Sequence, residues 1–152
     1  MYNTYLNDMA RATRTSRAGL FSLLHTAGAA QAHVESKLDA LGLSLPKLAA
    51  LNALAEAGES LPLGQLAERL SCVKSNITQL VDRLEADGLV SRAPDPRDRR
   101  ARLAVMTAAG RKACEQGLRI QRQTERELFG ALTAEEARQL ASLMKKLERR
   151  AG

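Results

Sequence analysis

A chain of 152 residues is long enough for one domain with a real hydrophobic core. Apolar residues make up 45% of it and aromatics only 3%, which favours a helical interior of Leu, Ala and Val over a β-sandwich. The net charge of +6 points to an anionic partner, and no run approaches the roughly 18 apolar residues of a membrane-spanning helix.

Met1 to Arg17 hold three arginines and little acid, with no apolar stretch behind them to serve as a signal core. They read as a loosely held basic arm. From about Arg17 to Leu41, apolar residues at Leu20, Leu24, Ala27, Val34, Leu38 and Leu41 mark one face of a long helix that stops near Gly42. Ser44 caps a second helix, with Leu48, Leu51, Leu54 and Ala55 inside and Gly58 at its end. Pro62 opens a short third helix that buries Leu63, Leu66, Ala67 and Leu70. A fourth runs from near Val73 to about Ala86, where Asp87-Gly88 stops it.

After Gly88 the period changes. Leu89 to Ala93 and Arg102 to Met106 both read as extended, joined by the charged, proline-broken stretch Pro94 to Ala101 as a β-hairpin with a long basic tip. Such a hairpin is marginal alone, so it must lean on the third and fourth helices. Thr107 caps a long helix to roughly Phe129. Thr133 and Glu136 form a capping box for a last helix with Leu140, Leu143, Met144 and Leu147 inside.

On the fourth helix Val73, Ile77, Leu80, Val81 and Leu84 share about one-third of the circumference. Ser75, Thr78, Gln79 and Asp82 lie opposite, flanked by Lys74, Asn76 and Arg83. This outward face is short, hydrogen-bonding and free of bulky apolar groups, as a helix entering a major groove needs. Gln79 and Asn76 suit adenine, while Ser75 and Lys74 reach phosphates or bases. An ordinary solvated face is the plain alternative for this helix alone. The neighbouring charge decides between them. Arg92, Arg97, Arg99, Arg100, Arg102, Arg111 and Lys112 stand against only Asp95 and Asp98, a local balance of +5. Arginines at a hairpin tip suit the minor groove. The two aspartates are expected to hold neighbouring arginines by bidentate pairing.

Leu63-Gly64-Gln65-Leu66-Ala67-Glu68-Arg69-Leu70 and Lys74-Ser75-Asn76-Ile77-Thr78-Gln79-Leu80-Val81-Asp82-Arg83-Leu84-Glu85 resemble the helix-turn-helix of MarR-family regulators. Gly88-Leu89-Val90, the wing string Asp95-Pro96-Arg97-Asp98-Arg99-Arg100-Ala101, Leu103, Thr107 and Gly110-Arg111 continue the likeness over nearly the whole chain. The resemblance implies a mainly α fold with a small β-hairpin wing. A winged helix-turn-helix over about 44–106 would be flanked by dimerisation helices over about 16–42 and 108–150. It further implies an obligate homodimer on palindromic double-stranded DNA, with recognition helices in successive major grooves and wings in the flanking minor grooves. Asp95 and Arg97 would brace the wing, and Arg99 or Arg100 would probe the groove. Repression released by a small-molecule effector, or by thiol oxidation, is the implied activity. Two positions depart from the pattern. Val73 stands where a capping residue is usual, at a cost of about 1 kcal/mol unless Ser71 or a phosphate compensates. Leu48 replaces an aromatic early in the second helix.

Cys72 and Cys114 match no zinc spacing and no multi-bridge framework, so a reducing cytoplasm is the plain reading. Cys72 precedes the recognition helix, where oxidation would move it, but a small buried residue is the simpler role for both cysteines. His25 and His33 lie eight apart and cannot share a metal at i, i+4 spacing. No nucleophile elbow, phosphate-binding glycine loop, metal motif or cofactor motif is present, so neither an enzyme nor a cofactor is expected. Membrane-surface binding fits poorly, since no helix joins a basic face to exposed large apolar residues. A helical dimer with a degenerate DNA-binding unit that acts through protein partners is the remaining rival. The basic wing argues against it.

Overall fold

The computed structural model describes the backbone of residues 2–71, 74–98 and 100–151, and the side chains of 19–71, 75–98 and 100–150. Cys72, Val73 and Arg99 therefore lie outside the described residues, as does the side chain of Lys74. The elements run α1 (Tyr2–Asp39), α2 (Leu45–Glu56), β1 (Ser60–Pro62), α3 (Leu63–Arg69), α4 (Lys74–Ala86), β2 (Val90–Pro94), β3 (Arg102–Met106), α5 (Ala108–Phe129) and α6 (Ala134–Ala151).

Two differences from the sequence reading concern backbone. The expected basic arm is helical: α1 begins at Tyr2, and residues 2–18 contain no proline or glycine to stop it. The expected two-stranded hairpin is the larger part of a three-stranded antiparallel sheet in the order β1-β3-β2. β1 sets Leu61 against Ala104, and β2 sets Arg92 against the same residue from the other side. At three residues, β1 is too short to show an alternating pattern.

Capping fixes where the helices begin and end. Ser44 accepts the Lys47 N–H at 3.4 Å, and Thr107 accepts that of Gly110 at 3.0 Å. Thr133 and Glu136 form the reciprocal box, with the Thr133 N–H donating to Glu136 at 2.8 Å and the Glu136 N–H donating to the Thr133 hydroxyl at 3.3 Å. This holds the Glu136 carboxyl below its ordinary range, the backbone hydrogen bond from Thr133 being the main cause. At the end of α4, Gly88 takes φ +71 while its N–H reaches the Glu85 carbonyl and the next N–H reaches that of Leu84, each at 2.9 Å. This left-handed stop is cheap only for glycine. It turns the chain from α4 straight into β2.

The core is built mainly from α2, α3, α4 and the sheet, joined by Leu38 of α1 and Cys114 of α5. Leu38, Leu51, Leu54, Leu66, Ile77, Val81, Leu84 and Val90 are fully buried, with Leu43, Leu48, Leu61, Ala104 and Met106 around them. Ala55, expected inside α2, is exposed. More consequential are Leu20 and Leu24 of α1 and Leu143, Met144 and Leu147 of α6. The α6 residues were expected inside and the α1 residues on one apolar face of a dimerisation helix; all are exposed, as are Phe21, Leu128 and Phe129. Their periodicity is helical and correct, but within a single chain nothing covers them.

Candidate nucleic-acid interface

The α3–α4 unit supports one exposed polar helix face. Ile77, Val81 and Leu84 anchor α4 in the core, and Leu80 is half-buried. With those positions fixed, the 100° step of the helix turns Ser75, Asn76, Thr78, Gln79, Asp82 and Arg83 outward, and all six are exposed. Asn76, Gln79 and Arg83 also line a cleft of about 450 Å³ with Pro46 and Ala49 of α2 and with Leu70 and Leu80.

The wing is shaped by its aspartates, though not as expected. Asp95 Oδ1 accepts the backbone N–H of Arg97, and Asp98 Oδ1 that of Arg100, each at 2.9 Å. The Asp95 N–H donates to the Ala101 carbonyl at 3.2 Å, and the Ala101 N–H to that of Asp98 at 2.9 Å. These are local side-chain turns that stiffen the tip. Residues two apart on such turns bring the carboxylate to an N–H more readily than to a guanidinium. The Arg97 and Arg100 side chains are consequently exposed and make no ion pair with any described residue.

The local balance of +5 is not all available. Arg92 is held by Asp82 and Glu85, which raises its pKa, its hydrogen bond to Asp82 contributing most. Arg111 forms a two-pronged pair with Glu59 at 2.5 and 2.6 Å, and the guanidinium lowers the Glu59 carboxyl below its ordinary range. Arg97, Arg100 and Arg102 remain as exposed wing cations among the described residues. Arg100 and Arg102 meet Thr78 of α4 and Leu63 and Gly64 of α3 around a second cleft of about 320 Å³. The structure thus brings the exposed polar face of α4 and the base of the wing to one side of the fold.

Arg102 was legible only as one member of a charge run. The roles of Arg92, Asp82 and Glu85 were missed as well. Their signal was a stripe of acids at i and i+3 on α4, facing a strand arginine that no local period marks.

Other candidates stay apart from this face. Cys114 is buried at 3% exposure, and burial pushes its thiol above the ordinary range, opposite to what a reactive thiolate needs. His25 is exposed, and His33 contacts Glu127 at 3.3 Å. No group of three or more metal-ligating side chains occurs among the described residues, and no described helix is long and apolar enough to cross a membrane.

Comparisons with known proteins agree with this geometry. A family model described as MarR family matches residues 41–101. The transcriptional activatory protein BadR of Rhodopseudomonas palustris is 40% identical over 80 residues, which cover 51% of this chain and 46% of BadR, so the match spans about half of that relative. The transcriptional regulator HosA of Escherichia coli is 30% identical over 105 residues, 69% of this chain and 77% of HosA. Among solved structures, a mutant of Escherichia coli MarR complexed with operator DNA superposes with a TM-score of 0.76 at 27% identity, covering 88% of this chain and 96% of that one. With a helix-turn-helix and basic wing built on one core, and these relatives around it, the chain belongs to the MarR family of DNA-binding transcriptional regulators.

Proposed function

We propose that the protein is a homodimeric, ligand-responsive repressor that binds a palindromic operator in the cytoplasm and has no catalytic activity of its own. The observation that carries the reading is the pairing of an exposed hydrogen-bonding face on α4 with exposed wing arginines on the same side that make no ion pair among the described residues. In this reading Asn76 and Gln79 read base edges, and Lys74, Ser75, Thr78 and Arg83 contact phosphates or flanking bases. Arg97, Arg99 and Arg100 enter the minor groove, with Asp95 and the Arg97 backbone bracing the tip.

Dimerisation is supported by the uncovered apolar faces of α1 and α6, which a second copy would bury. Effector control is supported by the α2–α4 cleft, because a small molecule seated there touches Asn76, Gln79 and Arg83 and competes with DNA for them. Activation is the second reading, favoured by the name of the relative BadR.

The test is equilibrium binding of the purified protein at about 150 mM salt to a duplex it selects from a random library, against scrambled duplex. The expected result is a palindromic consensus bound about a thousandfold or more above scrambled DNA. Equal, weak binding to both would remove the specific-regulator reading. Placing the consensus over or upstream of a promoter in a transcription assay separates repression from activation.

A further inference from the structure

Arg92 lies midway along β2, an edge strand of the sheet, and its side chain turns to the recognition helix. Nη2 donates to Asp82 Oδ1 at 2.5 Å and Nη1 to Glu85 Oε2 at 2.6 Å, while Nη2 also reaches the Thr78 carbonyl at 3.4 Å. The Arg92 backbone N–H donates to Glu85 Oε1 at 3.2 Å, so Glu85 occupies the free edge of the strand as well. Thr78, Asp82 and Glu85 stand at i, i+4 and i+7, a single stripe along two turns of α4. One planar guanidinium therefore spans the helix from its recognition half to its C-terminal half, and only 25% of that side chain is exposed.

A cation serving only phosphate attraction would leave its donors free. Here both terminal nitrogens are engaged, and two carboxylates are placed beside the proposed DNA surface to hold them. Asp82, Glu85 and Arg92 together carry a net charge of −1, which by itself opposes DNA. Such an arrangement makes sense if geometry, not charge, is what it supplies. The wing also joins α4 through the Gly88–Leu89 turn, the buried Val90 and the cleft where Arg100 and Arg102 meet Thr78.

We propose that Arg92 is a positioning residue for DNA binding: clamped to Asp82 and Glu85, it fixes the angle between wing and recognition helix so that both elements meet the duplex in register. The proposal rests on the reading that both elements touch DNA.

The experiment uses the full chain and a duplex selected by the wild-type protein from a random library. Asp82→Asn with Glu85→Gln removes two negative charges near DNA, so charge alone predicts tighter binding. A lost clamp predicts the reverse. The expected result is affinity lower by about tenfold, the size of one lost good contact, with weaker hydroxyl-radical protection of the flanking minor grooves. Amide exchange across residues 91–105 of the free protein should quicken, while the melting temperature stays within about 4 °C, because exposed ion pairs contribute little to stability. Arg92→Lys keeps the charge but cannot span both carboxylates, and should show the same loss. That variant carries the test if the double variant does not fold. Binding by either variant as tight as wild type, with an unchanged footprint, overturns the clamp. A wild-type chain that enriches no sequence from the library sinks the DNA reading and the clamp with it.

Discussion

A Cβ built on Gly110 would sit 2.0 Å from the Leu89 carbonyl oxygen and 3.0 Å from its carbon, so the first turn of α5 lies directly on the turn between α4 and the wing. The Thr107 hydroxyl donates to the Gly88 carbonyl at 2.7 Å in the same place, and the Thr107 N–H to that of Leu89 at 3.1 Å. Alanine normally stabilises a helix relative to glycine by up to about 1 kcal/mol. At Gly110 the obstacle is backbone, which cannot step aside as a side-chain tip can. Gly110→Ala is therefore expected to destabilise by about 1–3 kcal/mol. Gly64→Ala, where nothing lies within 4 Å of the added carbon, should be neutral or stabilising. Thermal melts of the two variants check the opposite signs. Glu127 offers a second residue-level test. Lys37 first, then Gln123 and His33, hold its carboxyl at about 2, down from an ordinary 4.5. A depressed carboxylate adds stability that is complete above the ordinary value and is lost as pH falls through the folded one. Wild type should thus melt slightly above Glu127→Gln at pH values over 4.5, and the gap should close as pH falls toward 2. A gap that stays constant with pH would remove the α1–α5 ion pair as its cause.

In the proposed reading the wing and α4 carry different tasks, and substitutions in each are expected to differ in kind. Arg100→Ala removes a cation from the tip, so binding should weaken on every sequence and the salt slope should fall by about one unit per lost phosphate contact. Gln79→Ala leaves the charge intact, so the slope should hold while preference at one base pair per half-site relaxes, at about 1–3 kcal/mol. Titrations on consensus and single-mismatch duplexes at several salt concentrations separate the two, and identical behaviour of both variants would refute this division. The same two elements show what sequence can and cannot specify. The outward face of α4 was legible because a 3.6-residue period and five apolar positions fix every other position on that helix. The wing tip was legible as a basic hairpin, but the work of Asp95 and Asp98 was not. A guanidinium and a backbone N–H are equally good partners on paper, and only local turn geometry selects the N–H. β1 and the Arg92 clamp escaped for a related reason. Both depend on partners more than five residues away, Leu103–Val105 for the strand and Asp82 with Glu85 for the arginine, and no local pattern encodes such pairing.

Over the whole molecule, the buried core and the uncovered apolar surface draw on different sets of residues. Core leucines gather around α2, α3, α4 and the sheet, whereas Leu20, Phe21, Leu23 and Leu24 of α1 and Leu143, Met144 and Leu147 of α6 remain exposed. Residues this large and this periodic, at 55% exposure for Leu143 and 71% for Phe21, support the proposed dimer interface over a solvated surface. If a second copy covers them, Leu143→Glu with Leu147→Glu should convert the protein from dimer to monomer, because four carboxylates would meet at an isologous contact. Light scattering during size-exclusion chromatography reads that change directly. The consequence for DNA follows from linkage of two half-sites. A dimer binds its second half-site at an effective concentration set by the rigid connection, an advantage of about 10²–10⁴ in affinity. The monomeric variant should lose that factor on the full palindrome, yet bind an isolated half-site as weakly as wild type does. Loss on both duplexes would instead indicate damage to the winged unit. An unchanged mass for the variant would mean that α6 faces something other than a second copy of this chain.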